Sequence, residues 1–332
     1  MGACAAWGAW DVGCEAGGPG RTGQAEPGRL RRRGQAEPDR RGQAEPGGLR
    51  RRGQVEPDPA DGDNGQGASL DGGVWRYWRE VAMQGWRPVE DLVRWGFAHA
   101  PVVMANEAHN GLARCVRTRE VGARMIRAAH EAGVRRLAME ALPHRPGDTQ
   151  GPILAVPPDT EGYLAQPEMR RLIGTALDLG WTLWAYEAVI EITPDTDQDH
   201  LRSMEFTNWR EREQAANLGR LVDAAPGEPL LVWCGNGHAT KEKSQDWVPM
   251  GWHFREMSGV DPFVIDQTVT VDFGEDGQQW VRELLASLSD ILAAHGGTAG
   301  ILRDQVPPPL DDWAGVDAFI VSTDNEMTED GA

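Results

Sequence analysis

The chain has 332 residues, 40% of them hydrophobic, and a formal net charge of −18 at pH 7. That length suffices for one large domain or two small ones around a sizeable core. The acidity argues against a general nucleic-acid binder, which carries a basic face, and against binding an anionic membrane surface. No apolar run reaches the roughly 18 residues that span a bilayer. Cys4, Cys14, Cys115 and Cys234 form no Cys-x-x-Cys pair. Neither a zinc knuckle nor a disulfide framework is therefore expected, and a reducing cytoplasm is the expected compartment. The start lacks a basic segment followed by an apolar one, so no secretory signal is expected. Gly2 is a weak myristoylation cue, because Ala6 stands where Ser or Thr is needed.

Residues 1–68 are expected to be a disordered, low-complexity tail. Gly-Gln-Ala-Glu-Pro recurs at 23–27, 34–38 and 42–46, and Gly-Gln-Val-Glu-Pro follows at 53–57. Each copy is almost free of apolar side chains and cannot offset its ordering entropy. A solenoid repeat would carry apolar positions in every unit. Residues 1–60 have ten arginines against eight acids, a net of +2, so the remainder carries −20. Arg31, Arg32 and Arg33 could touch an acidic partner, although a solvated tail is the simpler reading.

From residue 69 onward a folded α/β domain is expected. Residues 74–84 and 89–98 read as helices separated by Gly85 and Pro88. Residues 101–105 are a short apolar run, a buried strand. Helical spacing runs over 116–132 and stops at Gly133, and 135–139 is a second strand. The Pro- and Gly-rich stretch 141–166 reads as a long loop or lid. Residues 167–179 form a helix ended by Gly180, and 181–186 a third strand. A long helix is expected over 200–225, a fourth strand over 230–234 and a helical turn over 249–258. Residues 262–272 and 317–322 read as strands, with a helix over 280–295 between them. The alternation implies a three-layer α/β/α fold with a largely parallel or mixed sheet, open rather than a barrel, with about six strands. Trp75, Trp78, Trp86 and Trp95, four of 14 tryptophans, are read as packing residues rather than stacking platforms.

In open α/β sheets the ligand site lies beyond the carboxyl ends of the strands. The first strand is followed by Asn106, Glu107, Ala108 and His109; the second ends in Glu140; Glu187 follows the third; Gly235, Asn236, Gly237 and His238 follow the fourth. Acids beside imidazoles permit two kinds of chemistry. A carboxylate can orient a histidine that moves a proton. Alternatively, Glu oxygen and neutral His nitrogen suit zinc, manganese or iron. The glycines around His238 let a substrate approach the backbone. His99, His130, His144, His200, His253 and His295 lie on expected helices or loops, where surface or structural roles are the default.

These segments resemble a known superfamily. Residues 102–109, VVMANEAH, are similar to the strand and Gly-Glu-x-(Thr/Ser/Gln)-His motif of the erythromycin esterase and ChaN-like superfamily, which includes the TraB and Tiki proteins. Residues 136–140, RLAME, resemble its second strand, and 209–217, WREREQAAN, its Arg-Asp-x-x-Met-Ala-x-Asn segment. Residues 230–238, LLVWCGNGH, resemble its strand ending in histidine, and Met250-Gly251 also fits. The order agrees over about residues 90–325. Asn106 departs from the family's Gly, and Gln214 from its Met; neither change removes a titratable group.

The resemblance implies a hydrolase acting on an ester or related bond of a small molecule. His109 would be the general base on water, with Glu107 and Glu140 orienting it. His238 would stabilise an oxyanion or assist proton transfer. Arg210 and Glu211 would line the pocket, and Glu187 and Asn236 are further substrate-binding candidates. The resemblance also allows a divalent metal, manganese, cobalt or zinc, with Glu107, His109, Glu140 and His238 as ligands. Two alternatives come with it: a ChaN-like haem- or cofactor-binding protein without turnover, and a Tiki-like metal-dependent peptidase. The chain is shorter than macrolide esterases, which places a macrolide substrate in doubt.

Overall fold

Strand and helix signals alternate along the chain, and the computed structural model shows them assembled into one mixed sheet with helices on both faces. It describes residues 85–328 apart from 111–112, 143, 145–150, 157–161, 191–192, 194–195, 272–278, 307–309 and 311–312. The expected tail at 1–68 and helix at 74–84 lie outside the described residues. The elements are α1 (Val89–His99), β1 (Val102–Glu107), β2 (His109–Asn110), β3 (Ala113–Arg114), α2 (Val116–Glu131), β4 (Arg136–Met139), a 3₁₀ turn (Gly162–Ala165), α3 (Pro167–Asp178), β5 (Thr182–Ala185), α4 (Gln198–Leu201) and α5 (Met204–Ala224). There follow β6 (Leu230–Gly235), α6 (Met250–Ser258), β7 (Phe263–Asp266), α7 (Gln279–Ser287), α8 (Ser289–Ala294), β8 (Thr298–Leu302), a 3₁₀ turn (Arg303–Gln305) and β9 (Ala318–Ser322).

The main sheet has seven strands in the order β5-β4-β6-β1-β7-β9-β8, and β2 and β3 pair separately. All pairings in the main sheet are parallel except that of β8 with β9. Every residue of β1 and β6 is buried, as expected for central strands covered on both faces. Successive side chains alternate between the faces. Val103, Ala105, Leu137, Met139 and Leu231 pack with α1, α2 and α3. Val102, Met104, Ala138, Leu230 and Val232 pack with α5, α6 and α8. Each such buried side chain of Val or Leu size stabilises the fold by about 1.5–3 kcal/mol.

Local chemistry sets the helix ends. Pro167 opens α3 at its first turn, where the missing N–H costs nothing. Ser203 Oγ accepts from Phe206 N at 3.1 Å and starts α5. Gly259 closes α6 in the left-handed conformation with φ 70°.

Several expectations need correction. The helix expected at 200–225 is two, because Ser203 takes extended backbone to cap α5. The helix at 280–295 is divided at Leu288. The strand at 262–272 stops at Asp266, whose carboxylate accepts from Thr268 N and Val269 N at 2.7 and 2.9 Å and turns the chain. The main sheet has seven strands rather than six; the antiparallel edge β8 escaped notice because its five residues, TAGIL, are short and follow Gly296 and Gly297. Among the described residues no helix is long and apolar enough to cross a membrane.

Candidate active site

Parallel pairing brings the carboxyl ends of β5, β4, β6 and β1 to one edge. Met139 lies level with Ala185 and Trp233, and Glu107 with Gly235. Neighbouring strands lie roughly 4.8 Å apart. Glu187, Glu140, His238 and His109 therefore follow one another along that edge.

The acidic side is organised by Arg210 on α5. Its Nε donates to Glu187 Oε1 at 2.9 Å, and its terminal nitrogen bonds both Glu187 and Glu140. Gln214 Nε2 donates to both Glu187 oxygens at 3.0 and 3.1 Å. Ala188 N donates to Glu187 Oε1 at 2.7 Å. Burial still raises the Glu187 carboxyl above its ordinary range, against the pull of Arg210. Glu140 differs. Burial opposes its ionisation, but His238, Arg210, His109 and the Gly235 N–H, 2.8 Å from Oε2, together hold it well below the usual carboxylate range. Glu140 is thus an anion held in place.

His238 sits between two carboxylates. Its Nδ1 lies 2.5 Å from Glu211 Oε1, and its Nε2 lies 3.8 Å from Glu140 Oε1. Glu211 is fully buried and also accepts from Trp247 Nε1 at 3.0 Å and Met250 N at 2.6 Å. Burial alone would depress the imidazole; Glu211 and Glu140 overcome it and push His238 up to about 9. At neutral pH it is an imidazolium.

His109 is tuned the other way. Burial is the leading cause, aided by His238, Arg119 and Arg210 and opposed by Glu140, and it lowers the imidazole to about 4. His109 is neutral at pH 7. Asn236, at φ 38°, clamps its backbone: Asn236 Oδ1 accepts from His109 N at 3.2 Å and Nδ2 donates to His109 O at 3.0 Å. Asn is among the few residues besides Gly that tolerate that conformation. Gly235 is required beside it, since a Cβ there would overlap His109 Nε2. His109 Nδ1 is buried and without a hydrogen-bond partner among the described residues.

Glu107 is 1% exposed and is taken up by Arg119, accepting from its Nε at 2.6 Å. Burial pushes its carboxyl up to about 7, with Arg119 opposing. The structure thus brings Glu140, Glu187, Arg210, Glu211 and His238 into one bonded cluster, with His109 and Asn236 beside it. Glu107 does not hydrogen-bond His109, and Glu211 is fully buried and bonded to His238 Nδ1. Asn106 is structural: Gln267 N donates to its Oδ1 at 2.9 Å, and its Nδ2 donates to Asp266 at 3.1 Å.

Among the described residues no group of three or more His, Cys, Asp or Glu side chains is arranged to hold a metal ion. The contacts say why: Arg119 takes up Glu107, Arg210 takes up Glu140, and Glu211 takes up His238 Nδ1. A separate cavity of about 420 Å³ is lined by Lys241, Lys243, Trp252, Arg255 and Arg303 and contains none of these residues.

Sequence reasoning missed Arg119, Gln214, Trp247 and Tyr163, whose ring meets the His109 imidazole edge-on. One signal was readable. Glu211, Gln214 and Asn217 are polar residues at helical spacing on α5, and all are buried; a polar stripe in place of an apolar one marks a face turned toward other polar groups. Arg119, Tyr163 and Trp247 carry no such pattern.

No family model matches the chain, and no curated protein matches it. Among solved structures it is similar to the type III effector HopBA1 at 15% identity, over 54% of this chain and 82% of that one, with a TM-score of 0.33. It is similar to a structure of bacterial protein toxins at 13% identity, over 61% and 43%, with a TM-score of 0.33. It is also similar to a Bacillus cereus protein at 10% identity, over 78% and 99%, with a TM-score of 0.45.

Proposed function

We propose that the protein is a hydrolase of the erythromycin esterase-like kind, attacking an ester or related bond of a small molecule. The observation that carries this reading is the pair of imidazoles tuned in opposite directions beside one carboxylate, His109 to about 4 and His238 to about 9. Titratable groups pushed apart in this way mark an acid and a base. Neutral His109 takes a proton from water as the water oxygen bonds the carbonyl carbon. The Glu140 anion stabilises the imidazolium that forms, as the carboxylate of a catalytic triad does. The His238 imidazolium stabilises the developing oxyanion and gives its proton to the leaving oxygen as the old C–O bond breaks. Acid and alcohol depart, and solvent carries the proton from His109 back to His238. A cytoplasmic location is part of this reading, supported by Cys115 and Cys234, both free thiols.

The test is a screen of p-nitrophenyl esters and short peptides with the purified full-length chain, with and without chelator. Ester turnover that survives chelation and is lost in His109→Ala and in His238→Ala supports the reading. Wild-type activity in either variant overturns it. Peptide cleavage dependent on added manganese or cobalt would favour the metal-peptidase reading, and a haem spectrum on titration without turnover would favour the binding protein.

A further inference from the structure

We infer that Tyr163, delivered by the 3₁₀ turn Gly162–Ala165, is a positioning residue for His109. This rests on the hydrolase reading and adds a group to its machinery. A general base must hold its ring in one orientation, and hydrogen bonds at the other ring nitrogen usually do so. His109 has no such bond at Nδ1 among the described residues. Two contacts take its place. The Gly235 backbone lies against Nε2, and the Tyr163 ring meets the imidazole at a centroid distance of 5.5 Å and an interplanar angle of 73°. That is a favoured edge-on geometry for ring pairs.

Tyr163 is itself fixed. The Arg119 guanidinium lies 4.5 Å from its ring centroid, within range of a cation–π contact. Arg119 is fully buried, its Nε is held by Glu107, and one terminal nitrogen has no hydrogen-bond partner among the described residues. The turn is anchored just after the ring: Leu164 is buried, and Gln166 donates its N–H to Tyr163 O at 3.4 Å while its side chain bonds Arg119. Farther on, Glu168 pairs with Arg114 at 3.0 Å. Glu107 therefore acts on His109 at second hand, through Arg119 and then the tyrosine ring.

The experiment compares Tyr163→Phe, which keeps the ring, with Tyr163→Leu, which removes it. Both are read by steady-state hydrolysis and by NMR of the His109 ring protons. Tyr163→Leu is expected to lower kcat about tenfold or more at unchanged KM, with Tyr163→Phe within about twofold of wild type. The His109 ring resonances should move in the Leu variant and not in the Phe variant, as the ring current is lost. Unchanged kcat and unchanged His109 resonances in Tyr163→Leu overturn the inference and leave the hydrolase reading standing. Moved resonances in a chain that hydrolyses no ester support the contact and overturn the hydrolase reading instead. Should Tyr163→Leu fail to fold, cross-relaxation between the Tyr163 and His109 ring protons in the wild-type chain decides: its presence supports the contact and its absence overturns it.

Discussion

Glu211 and His238 are joined by a 2.5 Å hydrogen bond between Oε1 and Nδ1 that fixes which nitrogen of the histidine faces Glu140. Glu211 is on the helix behind the sheet, so the imidazole is held from the core side. In the proposed mechanism this glutamate on α5 would do for His238 what the triad aspartate does for its histidine.

Substituting Glu211 tests that role. Glu211→Gln removes the charge that raises His238 and leaves the Trp247 and Met250 donors an amide that cannot serve all three partners. The His238 titration midpoint should fall from about 9 toward its ordinary 6.5 or below, because burial then acts with less opposition. Activity should fall roughly 10²–10⁴-fold, the range for loss of acid–base assistance. NMR titration of His238 together with kcat checks both; an unmoved midpoint would sink the assignment.

The two histidines fix the pH dependence. The proposed mechanism requires His109 neutral and His238 protonated. The kcat/KM profile should therefore be bell-shaped, with an ascending limb near 4 and a descending limb near 9. Stability follows by linkage. His238 is raised from 6.5, so its contribution is full below pH 6.5 and is lost as pH rises through 9. His109 is lowered from 6.5, so its contribution is full above 6.5 and is lost as pH falls through 4. Each is on the order of a few kcal/mol. Chemical denaturation across pH in wild type and in His238→Ala separates them: the alkaline loss should vanish in the variant.

Strand ends were legible because short apolar runs stop at polar residues, and because in open parallel sheets the site lies beyond the strands' carboxyl ends. Glu140, Glu187 and His238 were found that way. Partners were not, because Arg119 reaches Glu107 from 12 residues away and Trp247 reaches Glu211 from 36, and a single sequence holds no trace of which distant side chains meet. Glu107 illustrates the limit. It is the last residue of β1 rather than the first of the loop. Alternation then turns its carboxylate toward α2, where Arg119 takes it up, and the strand expected at 101–105 ends two residues early because Asn106 and Glu107 do not read as buried.

Gly235→Ala should separate geometry from charge. The new methyl group overlaps His109 Nε2, so the ring must turn out of place while every titratable group remains. A displacement of about 1 Å is enough for a loss of roughly 10²-fold in kcat, with an overpacking cost of about 1–3 kcal/mol. Kinetics beside a thermal melt distinguish the two effects. Full activity would show that His109 does not need its present position.

Whether Glu107 is catalytic or structural can be decided through its partner. Glu107 and Arg119 are a fully buried pair at 2.6 Å, with side chains 1% and 0% exposed. Removing one partner leaves an uncompensated buried charge, at about 3–5 kcal/mol, whereas replacing both with apolar groups is often neutral. Glu107→Ala alone should therefore lower stability sharply. The double variant Glu107→Leu with Arg119→Met should recover most of it, as measured by denaturant midpoint. Activity is the deciding readout in that double variant. If Glu107 only balances Arg119, and Arg119 only steadies Tyr163, the stable double variant should hydrolyse substrate with a moderate loss in kcat, close to that of Tyr163→Leu. Complete loss of turnover in a well-folded double variant would instead make Glu107 part of the chemistry, as the resemblance implied.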